Sequence, residues 1–198
     1  LGNNKDGIDF SLEDDYYGDT RFHIPFIAWY QVMNASLALT TMEVLKDRIP
    51  VTMEQLQAGI ANTRWQGRME TILPGVIVDG AHNEDGVRRF VETAERFQKE
   101  YPLTLLFSAV NDKDYQDMIH TICSRIKFRK VVTTEVGGYR EVPSAELAEI
   151  FCKEGCKDIG NSDNIEEAFH MAHEAKGEDG MLFCVGSLYL VGEIKTLL

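Results

Sequence analysis

Long apolar runs are missing from this chain of 198 residues. No stretch approaches the roughly 20 residues that a bilayer-spanning helix needs, and the N-terminus has no signal-peptide pattern, so no membrane partner is expected. Basic charge is scarce as well: 20 Lys and Arg stand against 32 Asp and Glu, the net charge is −12, and no segment carries a basic stripe. Nucleic acids and anionic lipids are bound by neutralising phosphates with Lys and Arg, so they are excluded as partners. Cysteine is limited to Cys123, Cys152, Cys156 and Cys184, without the spacing of a disulfide framework, which fits a reducing cytoplasm. Cys152 and Cys156 have no second pair beside them, and His170 and His173 no accompanying Cys or carboxylate cluster, so no metal site is expected. The stretch G-x-x-x-x-G-K-[ST] is also absent, and with it a loop able to cradle a triphosphate. The first residue is Leu1 rather than Met, from which the chain is expected to begin inside a longer protein.

What is present is 44 % hydrophobic and 26 % charged residues. That suffices for one core, or for a domain of ~100–150 residues plus part of another. Residues 1–20 are polar and acidic and read as loop. From Trp29 to Asp47 the pattern is helical, with Tyr30, Met33, Leu37, Met42 and Leu45 near one face. Thr52 and Gln55 make a capping box for a second amphipathic helix bearing Met53, Leu56 and Ile60. These two helices have too few partners to form a domain, which assigns residues 1–64 to the tail of an upstream one.

After Arg68 the texture changes. Met69–Leu73 and Val76–Asp79 flank Pro74-Gly75 and read as a hairpin. Helical faces then alternate with the apolar strands Leu103–Phe107, Val131–Thr134 and Met181–Val185 and a weaker one at Lys157–Ile159, with Ser144 read as a helix cap. Parallel neighbours need a crossover element between them, so residues 65–198 are expected to form a doubly wound, mostly parallel, Rossmann-like α/β sheet.

The densest chemical signal is Trp65-Gln66-Gly67-Arg68-Met69-Glu70, followed by Val78-Asp79-Gly80-Ala81-His82-Asn83 at a strand end. In an open α/β sheet, ligands sit beyond the carboxyl ends of the strands. Asp79 ends a strand, Gly80 and Ala81 would let a ligand approach, and the amides at the start of the following helix would attract an anion. The plainer alternative is a turn at Asp79-Gly80 with Asn83 as a helix cap. Asp112 and Asp114 likewise read as a cap, and Glu70 either as part of the site or as a structural partner of Arg68.

Together these stretches resemble the signature of the folylpolyglutamate synthase and dihydrofolate synthase family, within the Mur ligase superfamily. Gln31-Val32-Met33-Asn34-Ala35 is similar to its Gln-x-x-Asn-Ala. Phe107 through Asp112-Lys113-Asp114 resembles its Phe-Gly-Ala…Asp-Lys-Asp, and Gly186-Ser187-Leu188-Tyr189 its Gly-Ser-Leu-Tyr. The resemblance implies a ligase in which ATP converts a carboxylate of dihydropteroate or a folate into an acyl phosphate, which the amino group of L-glutamate then attacks. It implies that Asn34, Arg68 and Asp79 contact ATP, that His82 serves catalysis, and that His82, Asn83 and Ser187 meet glutamate. An amide can pair with an adenine edge, Arg is a fixed cation suited to phosphate, and a carboxylate can accept from ribose hydroxyls. Arg68 and Asp79 are then expected at a cleft rather than in a core. Asn34 could instead bond a neighbouring backbone group, and Ser187 could be only the cap of the last helix. Arg140, after Gly137-Gly138-Tyr139, resembles an Arg in a family loop.

By the same resemblance the phosphate loop and the Mg2+ ligands lie in a missing N-terminal part, and the isolated chain is expected to lack turnover. The whole enzyme is expected to be a cytoplasmic monomer. Two other functions remain open: another amide ligase of the superfamily, or a binding domain that never catalyses.

Overall fold

In the computed structural model the described residues are 2–4, 7–138 and 140–198. They divide into two units, one ending at Gln66 and the other starting at Gly67.

The first unit contains strands β1 (Gly2–Asn4), β2 (Gly7–Phe10) and β3 (Phe22–Ile24), followed by α1 (Tyr30–Val44) and α2 (Met53–Ala61). The reading of residues 1–20 as loop is therefore corrected at 2–4 and 7–10, where β1 pairs with β2 and β2 with β3 in an antiparallel meander. Ile8 and Phe10 alternate with Asp9, and Phe22 and Ile24 with His23, so the apolar four face one side and Asp9 meets His23 on the other at 2.7 Å. These strands are too short to show a period in an acidic, Gly-containing stretch. They close a core with Tyr17, Ala35, Leu39 and Leu56, so the two helices do have partners within the chain.

The face expected of α1 is corrected too. Its buried stripe is Gln31, Ala35 and Leu39, whereas Met33 and Leu37, on the opposite side, are 72 % and 69 % exposed. Both sides of this helix are apolar, so periodicity alone could not choose between them. The capping box of α2 forms as read, with Gln55 N–H donating to Thr52 Oγ1 at 3.3 Å and Thr52 N–H to Gln55 Oε1 at 2.9 Å.

The second unit is built on β4 (Glu70–Leu73), β5 (Val76–Asp79), β6 (Leu103–Phe107), β7 (Phe128–Thr134), β8 (Ile159–Ser162) and β9 (Met181–Val185). They form one sheet in the order β4-β5-β9-β6-β7-β8; β4–β5 is the expected antiparallel hairpin and all other pairs are parallel. Helices α3 (Glu84–Phe97), α4 (Tyr115–Arg125) and α5 (Ser144–Lys153) pack in a row on one face. Helices α6 (Ile165–Lys176) and α7 (Leu188–Thr196) pack together on the other.

A sheet covered on both faces needs strands apolar on both sides, which is why Met181–Val185 reads as a continuous run. Leu182 and Cys184 join the α6–α7 core, while the Phe183 ring meets Phe90 of α3 at 5.5 Å between centroids. The weak strand lies slightly later than its reading of Lys157–Ile159. Ser144 is the first residue of α5 rather than its cap: its N–H is taken by Glu135 Oε1 at 3.1 Å, and its hydroxyl donates to Asp163 Oδ1 at 2.5 Å.

Candidate functional site

Strands β5 and β9 are parallel neighbours, yet α3 follows the first on one face and α7 follows the second on the other. A crevice opens where successive connections diverge in this way, at the carboxyl ends of the strands. Asp79 pairs in register with Val185, which sets Gly80 to Asn83 beside Gly186 and Ser187 on one edge of the sheet. His82 and Ser187 thus follow neighbouring strand ends, although more than a hundred residues separate them in sequence. Gly186 must be glycine, since a Cβ there would stand 2.0 Å from the backbone oxygen of Ser108 at the end of β6.

Asp79 is only 3 % exposed, which corrects its expected place at an open cleft. Its Oδ2 accepts the Met69 N–H at 2.8 Å and its Oδ1 the Ala81 N–H at 2.8 Å. Burial pushes its carboxyl up to about 6, against those two amides and the nearby Arg68 and His82, which pull it down. The carboxylate therefore ties the segment bearing Arg68 to the segment bearing His82. Met69 adopts φ 46°, in the left-handed region that a non-glycine residue enters at a cost, and the bond to Asp79 helps to hold it there.

Arg68 is half-buried and makes no hydrogen bond or ion pair among the described residues, so its guanidinium is available to an anion. His82 Nδ1–H donates to the Gly80 carbonyl oxygen at 2.7 Å, which orients the ring and leaves Nε2 for a ligand. Asn83 is the helix cap that its plainer reading proposed: Oδ1 accepts the Gly86 N–H at 2.8 Å, while its own amide group is exposed. Ser187 is also a cap, its Oγ accepting the Tyr189 N–H at 3.1 Å, and it is buried. Its O–H remains as a donor. Asn34 belongs to the first unit, where it is exposed and donates to Gln31 Oε1 at 2.9 Å rather than to a backbone group.

Other expectations change. Gly80 does not leave room for a ligand, because Leu188 fills that space; a Cβ on Gly80 would lie 2.1 Å from Leu188 Cδ2. Glu70 does not pair with Arg68: Oε2 accepts the Gly67 N–H at 2.7 Å and Oε1 accepts Lys195 Nζ at 2.8 Å. Gly67 O in turn accepts the Gly80 N–H at 2.8 Å. Asp114 caps α4, whereas Asp112 pairs with Arg140 at 3.2 Å, and Arg140 also donates to the Tyr189 hydroxyl at 3.1 Å. Of the loop stretch read with Arg140, Tyr139 lies outside the described residues. Sequence reasoning missed Lys195, Leu188 as a packing partner, and Ser108, whose buried hydroxyl finds no partner among the described residues. Only Ser108 left a signal, as a hydroxyl at the Gly position of the Phe-Gly-Ala pattern.

A profile of the Mur ligase glutamate ligase domain matches residues 67–188. The chain belongs to the Mur ligase family. The dihydrofolate synthase/folylpolyglutamate synthase of Bacillus subtilis (strain 168) is 30 % identical over 197 residues, covering 96 % of this chain and 43 % of its own length. Mycobacterium tuberculosis folylpolyglutamate synthase, solved with ADP and AMPPCP, superposes with a TM-score of 0.75 at 25 % identity over 89 % of this chain and 42 % of that one. E. coli FolC with DHPP and ADP gives 0.80 at 18 % identity over 99 % and 44 %, a likeness of fold. Within the Mur ligases, the chain is thus of the folylpolyglutamate and dihydrofolate synthase family and represents its C-terminal portion. It spans less than half the length of these relatives. No helix among the described residues is long and apolar enough to cross a membrane.

Proposed function

We propose that the chain is the C-terminal part of an ATP-dependent ligase that adds L-glutamate to dihydropteroate, to folates, or to both, through an acyl phosphate. The observation that carries this reading is the gathering of Asp79, His82 and Ser187 at one edge of a Mur ligase sheet, with Arg68 tied to them through Asp79. Arg68 meets the nucleotide's phosphates. Asp79 holds Arg68 and His82 in place, and a remaining lone pair serves a ribose hydroxyl. His82 offers Nε2 to the oxygens of the transferred phosphate, and as an imidazolium it donates there. Ser187 O–H and the Asn83 amide hold the incoming glutamate.

Among the described residues no group of three His, Cys, Asp or Glu is arranged to hold a metal ion. The donor set does not fit Mg2+, and we assign the ligands of that ion, with the phosphate loop, to the longer protein. The domain formed by residues 1–64 we assign to the end of the central ATP-binding part.

Release of ADP in the presence of ATP, Mg2+ and L-glutamate, with dihydropteroate or a reduced folate as acceptor, tests the proposal. The chain alone should give no acceptor-dependent release, and the chain joined to its upstream half should turn over. Failure of the joined protein with both acceptors defeats the reading, and full turnover by the chain alone defeats its partial character.

A further inference from the structure

Away from the ligand edge, two thiols meet across a helix pair. Cys123 lies in the last turn of α4 and Cys156 just beyond α5, and their sulfurs are 3.6 Å apart. Helices of parallel crossovers run back from the carboxyl edge of the sheet, so the pair lies toward the edge opposite Asp79 and Ser187.

Two devices hold the sulfurs there. Helix α5 ends in a Schellman motif: the Gly155 N–H bonds Cys152 O at 3.0 Å and the Cys156 N–H bonds Phe151 O at 3.1 Å, with Gly155 at φ 93°. This motif fixes the residue after the glycine, which is Cys156. One turn before Cys123, the His120 ring bonds Glu154 Oε2 at 3.0 Å and ties α4 to the end of α5.

Cys123 and Cys156 are both half-buried, so a small reagent reaches them, and no third His, Cys, Asp or Glu completes a metal cluster among the described residues. We propose that Cys123 and Cys156 form a redox-active dithiol that exchanges with low-molecular-weight disulfides to close a cross-link between α4 and the end of α5. Hydrogen bonding from Cys123 holds the Cys156 thiol below its ordinary range, whereas the same bond, with burial, pushes Cys123 up.

Cys156 is therefore the attacking thiolate. It attacks one sulfur of the small disulfide, forming a mixed disulfide and expelling one thiolate. That thiolate takes the Cys123 proton, and the Cys123 sulfur then attacks Cys156 and expels the second thiolate, which is protonated by solvent. Two protein thiols and one disulfide become one protein disulfide and two small thiols. Cys152, exposed on α5, stands outside this pair.

The sequence makes the test direct, because trypsin places the cysteines on four separate peptides: 114–125, 141–153, 154–157 and 177–195. The whole chain is incubated with excess oxidised glutathione, alkylated with N-ethylmaleimide, digested and mapped by mass spectrometry. Peptides 114–125 and 154–157 should appear joined, dithiothreitol should separate them, and the thermal unfolding midpoint of the oxidised chain should lie above that of the reduced one. Cys123→Ser should give glutathione on Cys156 without a cross-link. Should that variant not fold by circular dichroism, Cys156→Ser should leave Cys123 unlinked. A link from Cys152 to Cys156, or glutathione on both Cys123 and Cys156 in the unaltered chain, overturns the proposal.

Discussion

The backbone N–H of Met69 donates to Asp79 Oδ2 at 2.8 Å, so the residue after Arg68 hangs from a buried carboxylate at the end of the neighbouring strand. Asp79→Ala orphans this amide and that of Ala81, each at a cost of about 1–3 kcal/mol, while releasing a carboxylate from burial offsets part of the loss. A net destabilisation of about 2 kcal/mol is expected from urea unfolding of the chain. Arg68→Ala should cost less than Asp79→Ala, because it removes only the attraction that favours the Asp79 carboxylate and orphans no amide. Equal stability of the Asp79→Ala chain would reject the tie.

The same burial predicts a pH dependence. Asp79 titrates at about 6 in the fold against an ordinary 3.8. Between those values the folded chain binds more protons than the unfolded one, so the contribution of this group to stability is greatest below about 4 and falls as pH rises through 6. The stability of the natural chain minus that of Asp79→Asn should therefore decline from pH 4 to pH 7 by about 2 kcal/mol, because each pH unit between the two values is worth at most ~1.4 kcal/mol. A difference that is flat across this window, or rising, contradicts the assignment.

Gly80 and Leu188 make a packing pair that a methyl group should break. Gly80→Ala places a Cβ against the Leu188 side chain, which is 48 % exposed and can swing outward, so the change should cost about 1 kcal/mol. Leu188→Ala removes the obstacle, so the double variant should be no less stable than Leu188→Ala alone. Independent, additive losses in the double variant would show that the two residues do not meet.

Glu70 serves two partners and Lys195 one. In thermal or urea unfolding, Glu70→Ala should therefore cost more than Lys195→Ala, by about the 1–3 kcal/mol of the orphaned Gly67 N–H. Glu70→Gln should recover most of that difference, because its carbonyl can still accept from Gly67. Equal losses for Glu70→Ala and Lys195→Ala would mean that the Gly67 bond contributes nothing.

Ser187 caps α7, and Ser187→Ala should destabilise the chain by about 1 kcal/mol whatever its function. In the restored ligase the same change should also raise the KM for glutamate while leaving that for ATP nearly unchanged. Loss of stability with an unaltered glutamate KM would leave Ser187 as a cap alone.

The alternating α/β order, the hairpin at Pro74-Gly75, the capping box at Thr52 and the caps at Asn83 and Asp114 were legible because each rests on neighbours within a few residues. The site motifs were legible for the same reason, as short runs at strand ends. The β1–β3 meander was not, because three- and four-residue strands gain their meaning only from pairing with one another. Sequence by itself determined the class of sheet and the edge on which the polar motifs fall, since hydrophobic period and local capping are short-range properties. Only the tertiary structure decided that Asp79 is buried and ties two segments together, that Leu188 occupies the space over Gly80, and that Glu70 turns to Lys195 instead of Arg68. Those outcomes depend on which strands become neighbours, and β5 and β9 lie about a hundred residues apart in the sequence, beyond the reach of any local pattern.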